Sequence, residues 1–352
     1  MKILYAIQGT GNGHISRARE IIPLLQRRCE TDILISGSQA DIELPFEVKF
    51  RLHGLGFDFG KKGGIDLRKT YNKANTKRLL KEIKELPVAG YDFVLNDFEP
   101  VSAWACYRNK VPCIALSHQF SLLDKNVPKP IKKDALGNFV LKNYAPASAG
   151  FGFHFSRYSG NIYTPVVRKE IREAENTNQG HYTVYLPAYD DKTLVKVLSG
   201  FPETRWQVFS KHNKMPETIG SIELNPVDDR KFSESLTTCT GILCAAGFET
   251  PAEALFLGKK LMVIPMQNQH EQQYNAAALK GIGVPVLKRL KVSKAEIIRD
   301  WINSDYRIEI TYPDLTDRVI SHIFELYVEG RFPRKKWQDS FQFDMRKYFS
   351  RK

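Results

Sequence analysis

Short apolar stretches of strand length alternate with longer helix-like segments along most of this sequence. The first stretch, KILYAI (residues 2–7), is followed by the helix-like SRAREIIPLLQRR (16–28) and then by TDILISG (31–37). Strands that alternate with helices indicate parallel βαβ units. The same alternation restarts after residue 180, beginning with YTVYLPA (182–188).

The two alternating halves predict two domains. We expect an α/β fold with two Rossmann-like, doubly wound parallel-sheet domains that face a cleft, because ligands bind at the carboxyl ends of such strands. The first domain is expected over residues 1–155 and the second over 181–330. Between them, residues 156–180 are polar and form the expected linker.

The charge balance and the cysteines narrow the range of partners. Lys and Arg number 52 against 39 Asp and Glu, a formal net charge of +13. Such an excess favours nucleic acid, phosphorylated ligands or anionic lipid headgroups as partners, with an ordinary soluble basic surface as the alternative.

Five scattered cysteines without a CxxC pair argue against a disulfide framework and a zinc site, and they suit a reducing cytoplasm. Because no stretch of about 18 apolar residues occurs, no membrane-spanning helix is expected.

The loop after the first strand, GTGNGH (9–14), tests for a dinucleotide cofactor. The dinucleotide fingerprint needs glycines at its first, third and sixth positions and an acid at the end of the second strand. Gly9 and Gly11 fit, but His14 stands at the sixth position and the second strand ends without an acid, so no cofactor is expected. The glycines, Gly13 included, instead leave room for a ligand at a helix start that favours anions. His14 is the candidate base for a hydroxyl nucleophile, with a helix-capping role as the alternative.

The second half contains a longer motif, LCAAGFETPAEALFLG (243–258). A strand is expected to end at Gly247 and a helix to begin near Thr250, with a proline in its first turn. Thr250 is expected to cap this helix and to present its hydroxyl beside free backbone N–H groups, which together form a phosphate site. Glu253 would lie one turn further, near a ribose attached to that phosphate. After the next strand come two candidates for binding a polyhydroxyl ring, Glu271 and Gln272.

These two motifs resemble those of a known enzyme family. Gly247, Thr250 and Glu253, followed by Pro265 and the EQQYN run at 271–275, are similar to the donor-nucleotide signature of GT-B glycosyltransferases. GTGNGH is similar to the GGTGGH loop of family 28, the MurG-like group, which transfers a sugar from a UDP donor to a lipid-linked acceptor. The resemblance covers nearly the whole chain. It implies a metal-independent transferase with a nucleotide-sugar donor, for which a UDP-sugar is the leading candidate. The implied acceptor is a hydroxyl that is lipid-linked or part of a cell-envelope glycan.

The donor-binding residues that the resemblance implies lie at strand ends and helix starts of the second half. They are Val227 for the base, Gly247, Phe248 and Thr250 for the diphosphate, Glu253 for the ribose, and Glu271 and Gln272 for the sugar. His14 and its glycine loop would face the acceptor. The sequence contains no Asp-x-Asp motif of the kind that holds a divalent ion in metal-dependent transferases, so no metal site is assigned.

Two positions depart from the MurG-like pattern. LPAYDDK (186–192) replaces a turn rich in Gly and Ser, and Ala245 and Ala246 stand where many relatives have a histidine. Both changes concern the diphosphate site, so the base and the sugar stay open.

Two further strand ends of the first half carry polar residues. VLNDFEP contains Asp97 and Glu99, and IALSHQF contains His118. We expect these side chains to face the cleft, with Asp97 either orienting His14 or acting as a second candidate base. Ordinary caps at strand ends are the alternative.

Residues 122–146 mix five lysines with Leu, Ile, Val and Phe. This mixture favours a membrane-surface patch near the acceptor site, with a solvated loop as the alternative. We therefore expect a cytoplasmic protein, with a peripheral position on the inner face of the cell membrane as a second option. No nucleic-acid partner is expected, because the basic, aromatic tail (331–352) is assigned to the last helix, which in GT-B proteins crosses back to the first domain.

The leading hypothesis is thus a glycosyltransferase that acts by direct displacement, with His14 as the base. A nucleotide-sugar 2-epimerase shares this fold, but it would need acid and base groups around the donor sugar and no acceptor loop. A non-catalytic protein that binds nucleotide sugars is the third option, which Tyr189 and Ala245 keep open.

Overall fold

The structure is a computed structural model that describes residues 1–37, 44–55, 76–131, 134–267 and 269–331. Its strands form two sheets, one in each half of the chain.

The first half forms a seven-stranded sheet with helices between its strands. The strands are β1 (Lys2–Gln8), β2 (Glu30–Ser36), β3 (Phe50–Leu52), β4 (Phe93–Asp97), β5 (Cys113–Ser117), β6 (Ala149–Phe153) and β7 (Ile162–Tyr163). The helices are α1 (Asn12–Gln26), α2 (Thr76–Glu85), α3 (Pro100–Asn109), α4 (His118–Ser121) and α5 (Ala135–Asn143), with a 3₁₀ turn at Val88–Gly90. The strand order is β3-β2-β1-β4-β5-β6-β7, and every pair is parallel.

The second half repeats this plan with a six-stranded sheet. The strands are β8 (His181–Tyr185), β9 (Arg205–Ser210), β10 (Glu217–Ile219), β11 (Ile222–Pro226), β12 (Gly241–Ala245) and β13 (Lys260–Ile264). The helices are α6 (Lys169–Arg172), α7 (Asp191–Leu198), α8 (Asp229–Thr238), α9 (Glu249–Phe256), α10 (His270–Gly281), α11 (Ala295–Asn303) and α12 (Thr316–Val328), with a 3₁₀ turn at Val292–Lys294. The order is β10-β11-β9-β8-β12-β13, and only β10 pairs antiparallel.

The buried central strands explain why the sequence reads as apolar runs. Ile3 to Ile7 of β1 are fully buried, and β12 is buried along its length. A parallel sheet covered by helices on both faces excludes water from both sides of its strands, so alternation of polar and apolar residues disappears. The observed sheets confirm the predicted doubly wound α/β fold in two halves. The exposed antiparallel edge strand β10 is an addition that the sequence did not predict.

In each sheet the strand order reverses between two neighbouring parallel strands, because the chain adds strands first on one side and then on the other, and this places a crevice at their carboxyl ends. In the first sheet this switch point lies between β1 and β4, and in the second it lies between β8 and β12. Ligands of doubly wound folds bind outside such crevices. The loops that leave β1, β4 and β12 therefore mark the ligand-binding end of each half.

The segment predicted as a linker, residues 156–180, is partly built into the first half. Its residues Ile162–Tyr163 form β7, which pairs with β6, so the expected boundary at residue 155 leaves one short strand of the first sheet on the linker side. Lys169–Arg172 form the short helix α6.

The chain returns to the first half before the predicted tail begins. In α12, the Phe324 and Tyr327 rings lie 5.7 and 4.9 Å from the ring of Phe93 on β4. Arg28, after α1, pairs with Asp317 at 2.8 Å. Residues 332–352, for which a last helix was expected, lie outside the described residues. None of the described helices is both long and apolar enough to span a bilayer.

We expect the packing of α12 on the first half to contribute to stability. Replacing Ile323, which is 1% exposed, by Ala should lower the free energy of unfolding by about 2–5 kcal/mol, because it leaves a cavity in the core. The matched control is Val328→Ala on the same helix, where the side chain is 75% exposed and a change within about 0.5 kcal/mol is expected. Urea unfolding followed by circular dichroism measures both, and equal effects would contradict this packing.

Candidate active site

A cavity of about 250 Å³ lies between the two halves, at the carboxyl ends of both sheets. Several residues singled out in the sequence line it together: Gly11, Gly13, His14, His118, Gly247, Phe248 and Glu271. Other predicted residues do not line it: Gly9, Asp97, Glu99, Val227, Thr250, Glu253 and Gln272.

His14 and Asp97 form a hydrogen-bonded pair at the switch point of the first sheet. His14 is in the first turn of α1, directly after β1, and Asp97 is the last residue of the neighbouring strand β4. His14 Nδ1 lies 3.0 Å from Asp97 Oδ1, and the side chains are 12% and 0% exposed. A carboxylate can only accept, so the contact with Asp97 favours a proton on Nδ1 and leaves Nε2 free to accept one, although Arg17 Nη2, which can only donate, also lies 3.1 Å from Nδ1. Nε2 is 3.5 Å from the amide nitrogen of Gln119 at the cavity wall.

Arg17 fixes the charge of Asp97. It lies one turn after His14 on α1 and donates from Nε and Nη2 to Asp97 at 3.1, 2.8 and 2.9 Å. Burial alone would raise the pKa of Asp97, but the charges and hydrogen bonds of Arg17 and His14 outweigh it and hold that pKa below its ordinary value. Asp97 is therefore a carboxylate that reaches the cavity only through His14.

Arg17 also crosses the cleft to the second half. Its Nη1 donates to Glu249 Oε1 at 2.6 Å, while the Arg17 side chain is only 2% exposed. The sequence interpretation missed both residues. The signal that was present is the spacing of His14 and Arg17, because residues three apart share one face of a helix.

One glycine of the loop is required by close packing. A Cβ on Gly9 would lie 2.8 Å from Ile35 Cγ2 and 2.9 Å from the carbonyl oxygen of Gly37. A Cβ on Gly13 would overlap the end of the Glu249 side chain, which can turn aside. Gly11, by contrast, has nothing within 4 Å of a Cβ position. The loop therefore packs tightly on β2 at one end and on the second half at the other, and it is open in the middle.

Phe98 introduces backbone strain next to Asp97. Its φ is 56°, in the left-handed region that a bulky side chain rarely adopts, which costs about 1–3 kcal/mol. This conformation places the ring in the cavity wall, 4.8 Å from the ring of Tyr144. Such strain persists where the surroundings over-determine it and is frequent at functional sites. No pattern in the sequence indicated this conformation.

His118 lines the cavity but is held inside the protein. Its Nδ1 lies 2.9 Å from the carbonyl of Phe153, and its Nε2 lies 2.7 Å from Asn275 Oδ1 of the second half. The ring stacks on Phe248 with a centroid distance of 3.8 Å. Burial lowers the pKa of His118 to about 4, and a neutral ring can donate to only one of these two oxygens.

Glu99 has a structural position, which corrects the expectation that it faces the cleft. Its carboxylate accepts from the backbone N–H groups of Val101 and Ser102 at 2.7 and 2.6 Å, so it caps α3. It also accepts from Ser36 at 2.7 Å. Glu99 is fully buried and does not reach the cavity.

Thr250 does not cap α9, which is a second correction. The helix begins at Glu249, and the residue at the cap position is Phe248, which makes no side-chain capping bond. Because Phe248 is already close to helical geometry, Thr250 lies within the first turn rather than before it.

Glu253 is buried and paired rather than open to a ribose. Arg168, just before α6, donates to both of its oxygens at 2.6 and 3.0 Å, and Glu253 is 3% exposed. Arg168 also pairs with Asp229 of α8 at 2.9 Å. Burial raises the pKa of Glu253, although the charge of Arg168 acts in the opposite direction. A ribose could reach this carboxylate only if the pair with Arg168 opened.

The other donor-side candidates differ in exposure. Glu271 faces the cavity and accepts from Gln119 at 3.1 Å. Gln272 is 8% exposed, and its side chain accepts from the backbone of Met266 at 2.8 Å. Val227 follows the end of β11 and is not part of the cavity wall. Gln269, which the sequence interpretation missed, caps α10 and lines the cavity.

The two halves meet along the cavity through polar contacts as well as packing. The pairs that cross the cleft are Arg17–Glu249 at 2.6 Å, His118–Asn275 at 2.7 Å, Asn138–Tyr274 at 2.8 Å, Gln119–Glu271 at 3.1 Å and Asp134–His270 at 3.2 Å. Among the residues that the structure describes, no group of three or more His, Cys, Asp or Glu side chains is placed to hold a metal ion.

We expect the Arg168–Glu253 pair to be essential for stability. Arg168→Met should cost about 3–5 kcal/mol of unfolding free energy, because it leaves the Glu253 carboxylate buried without its partner. Lys169→Met, which changes a neighbouring side chain that is 72% exposed, is the matched control and should change stability by less than about 0.5 kcal/mol. Chemical denaturation at neutral pH distinguishes the two, and a small loss in Arg168→Met would show that Glu253 is readily hydrated.

Comparisons with known proteins agree with this architecture. Residues 1–304 match the sequence family described as glycosyl transferase family 1. None of the curated proteins compared matches the sequence significantly.

Solved structures match over almost the entire chain. MurG of Acinetobacter baumannii is 15% identical with a TM-score of 0.56, covering 92% of this chain and 99% of that one. UGT2 of Phytolacca americana, complexed with UDP-2fluoro-glucose and pterostilbene, is 12% identical with a TM-score of 0.58, covering 93% and 99%. UGT89C1 of Arabidopsis thaliana, complexed with UDP, is 11% identical with a TM-score of 0.58, covering 93% and 98%.

At these identities the structural matches establish the fold, and the family match establishes the class of enzyme. The chain belongs to glycosyl transferase family 1 and is a glycosyltransferase with the GT-B fold.

Proposed function

We propose that this enzyme moves a sugar from a nucleoside-diphosphate sugar to an acceptor hydroxyl by direct displacement, with His14 as the general base. A UDP-sugar is the leading candidate for the donor. The observation that carries the proposal is the His14–Asp97 pair. Its Nδ1–Oδ1 distance is 3.0 Å, and the ring lines the cavity between the two halves. A base must be within hydrogen-bond reach of the proton that it removes, and this ring is placed to meet a hydroxyl in the cavity.

The proton would pass from the acceptor hydroxyl to Nε2 of His14. Asp97 holds the ring with Nδ1 protonated and stabilises the imidazolium that forms. Because Arg17 keeps Asp97 ionised, the carboxylate supplies a negative charge next to the ring without taking the proton itself. Asp97 is thus a positioning residue for His14, rather than the base.

The donor would bind on the second half, with its diphosphate near Gly247, Phe248 and Thr250. These residues lie at the start of α9, where backbone N–H groups and the helix dipole favour an anion. The leaving nucleotide gains negative charge during transfer, and this environment stabilises it without a metal ion. Glu271 and Gln272 would bind the donor sugar, Val227 would flank the base, and Glu253 would reach the ribose once its pair with Arg168 opens.

The acceptor would approach from the side of Phe98 and α5. Phe98, Val140 and Leu141 supply apolar wall there, which suits an acceptor with an apolar part next to its hydroxyl. Within the lysine-rich segment 122–146, Leu123 is 40% exposed and Ile131 is fully exposed. Exposed aliphatic residues among lysines favour contact with an anionic membrane surface. We therefore propose a lipid-linked acceptor and a peripheral position on the inner face of the cell membrane.

Nucleotide binding tests the donor class. A thermal-shift screen with UDP, TDP, GDP and ADP should show stabilisation by at least one nucleotide, with UDP the expected one. A ligand at 100 times its dissociation constant adds about 2.7 kcal/mol to the unfolding free energy. Failure of all four nucleotides to shift the melting temperature would contradict a nucleotide-sugar donor.

Removal of His14 tests the base. His14→Ala should lower the turnover number by about 10²–10⁴-fold and leave the dissociation constant of the donor nucleotide nearly unchanged, because the ring acts on the acceptor. His53→Ala is the matched control, since that ring belongs to the same half and is 68% exposed. The measurement is release of free nucleotide from the donor sugar in the presence of acceptor.

Two outcomes would count against this mechanism. If His14→Ala turned over at the wild-type rate, His14 would be excluded as the base. Conversion of the donor sugar without added acceptor and without nucleotide release would favour a 2-epimerase instead.

A further inference from the structure

The carboxylate of Glu249 lies inside the cleft, at the place where the starts of two helices meet. Glu249 is the first residue of α9. Its carboxylate lies so close to Gly13, in the first turn of α1, that a Cβ on that glycine would overlap it. Neither helix has a side-chain cap from its N-cap residue, Gly11 for α1 and Phe248 for α9. The unpaired N–H groups of a helix start favour a negative charge, and here the charge comes from the protein itself.

Arg17 completes this site with a full positive charge. It donates through Nη1 to Glu249 at 2.6 Å, while Nε and Nη2 are used by Asp97. Among the described residues that line the cavity, Arg17 is the one permanent cation. A diphosphate in this cavity can therefore form an ion pair with one guanidinium, that of Arg17. Of its three nitrogens, only Nη1 is not hydrogen-bonded to Asp97.

The two carboxylates bound to Arg17 differ in mobility. Asp97 is completely buried at the end of β4, whereas the Glu249 side chain is 26% exposed. If one partner leaves Arg17, Glu249 can turn into water at small cost, while Asp97 cannot leave without breaking the His14 pair. Glu249 is thus the exchangeable partner.

The charge of Glu249 points the same way. A carboxylate that stayed in place would repel a diphosphate bound at the start of α9. Withdrawal of Glu249 into water removes this repulsion.

We propose that Arg17 is the cation that binds the donor's diphosphate, and that Glu249 occupies the position of that diphosphate until the donor arrives. The inference rests on the proposed function, because it presumes a nucleoside-diphosphate donor. On donor binding, Arg17 Nη1 exchanges the Glu249 carboxylate for a phosphate oxygen, an acceptor that suits its geometry. The first half thereby contacts the donor directly, and the diphosphate takes over the link between the two halves that Glu249 provides.

The exchange makes donor binding compete with Glu249. Glu249→Gln weakens the bond to Arg17 and removes the like charge, so UDP should bind about tenfold more tightly. Uridine, which has no phosphate, should bind with the same affinity to the wild type and the variant. Isothermal titration calorimetry with UDP and uridine measures both constants.

Two further variants separate this effect from general charge and from folding. Glu296→Gln removes an exposed carboxylate from the first turn of α11 in the same half and should leave UDP binding unchanged. Arg17→Lys in the Glu249→Gln background should remove the gain in UDP affinity. A lysine bound to Asp97 has a single ammonium group and therefore no second N–H edge that could bind a phosphate oxygen. Since that variant disturbs a buried pair and can fail to fold, the single variant Glu249→Gln carries the test alone.

The outcomes distinguish this inference from the proposed function. UDP affinity that rises in Glu249→Gln while uridine affinity stays constant supports the exchange. If a nucleoside diphosphate binds the wild type but Glu249→Gln binds it no more tightly, the exchange is wrong and the proposed function stands. If no nucleoside diphosphate of any base binds either protein, both fail together.

Discussion

The buried ion pair between Asp97 and Arg17 is the interaction on which the rest of the site depends. Asp97 is fully buried, so its charge is stable only because Arg17 donates to it from two nitrogens and lowers its pKa. The same carboxylate holds the ring of His14, and the same guanidinium reaches Glu249 across the cleft. One pair therefore sets the orientation of a base, the charge beside it and the link to the second half.

Close packing explains part of the composition of the glycine loop. Gly9 has no side chain because Ile35 and the carbonyl oxygens of Ser36 and Gly37 lie against it, whereas a Cβ on Gly13 would meet the Glu249 carboxylate of the second half. The space left open in the middle of the loop is part of the cavity. Each half thus presents a helix start to the same point, α1 from the first and α9 from the second, and this convergence suits an anion held between them.

The sequence predicted those features that depend on local pattern. Apolar runs and helix periodicity indicated two doubly wound sheets, and strand-end positions brought His14, His118 and Glu271 to one cavity. Features that depend on side chains distant in sequence were not predictable in this way. Arg17 pairs with residues 80 and 232 positions away, and Glu253 pairs with a residue 85 positions away. A strained backbone at Phe98 and a helix that begins one residue before Thr250 likewise follow from tertiary packing, which periodicity does not reveal.

The tautomer of His14 tests the central claim most directly, because the proposed proton transfer to Nε2 requires that Nδ1 already carries the proton of the hydrogen bond to Asp97. Long-range ¹H–¹⁵N correlation spectra of the histidine side chains, assigned with His14→Ala, report which ring nitrogen carries the proton in the neutral form. We predict the Nδ1–H tautomer for His14, with Nε2 unprotonated towards the cavity. An Nε2–H tautomer would contradict the account, since the nitrogen that faces the acceptor would then have no lone pair to receive a proton.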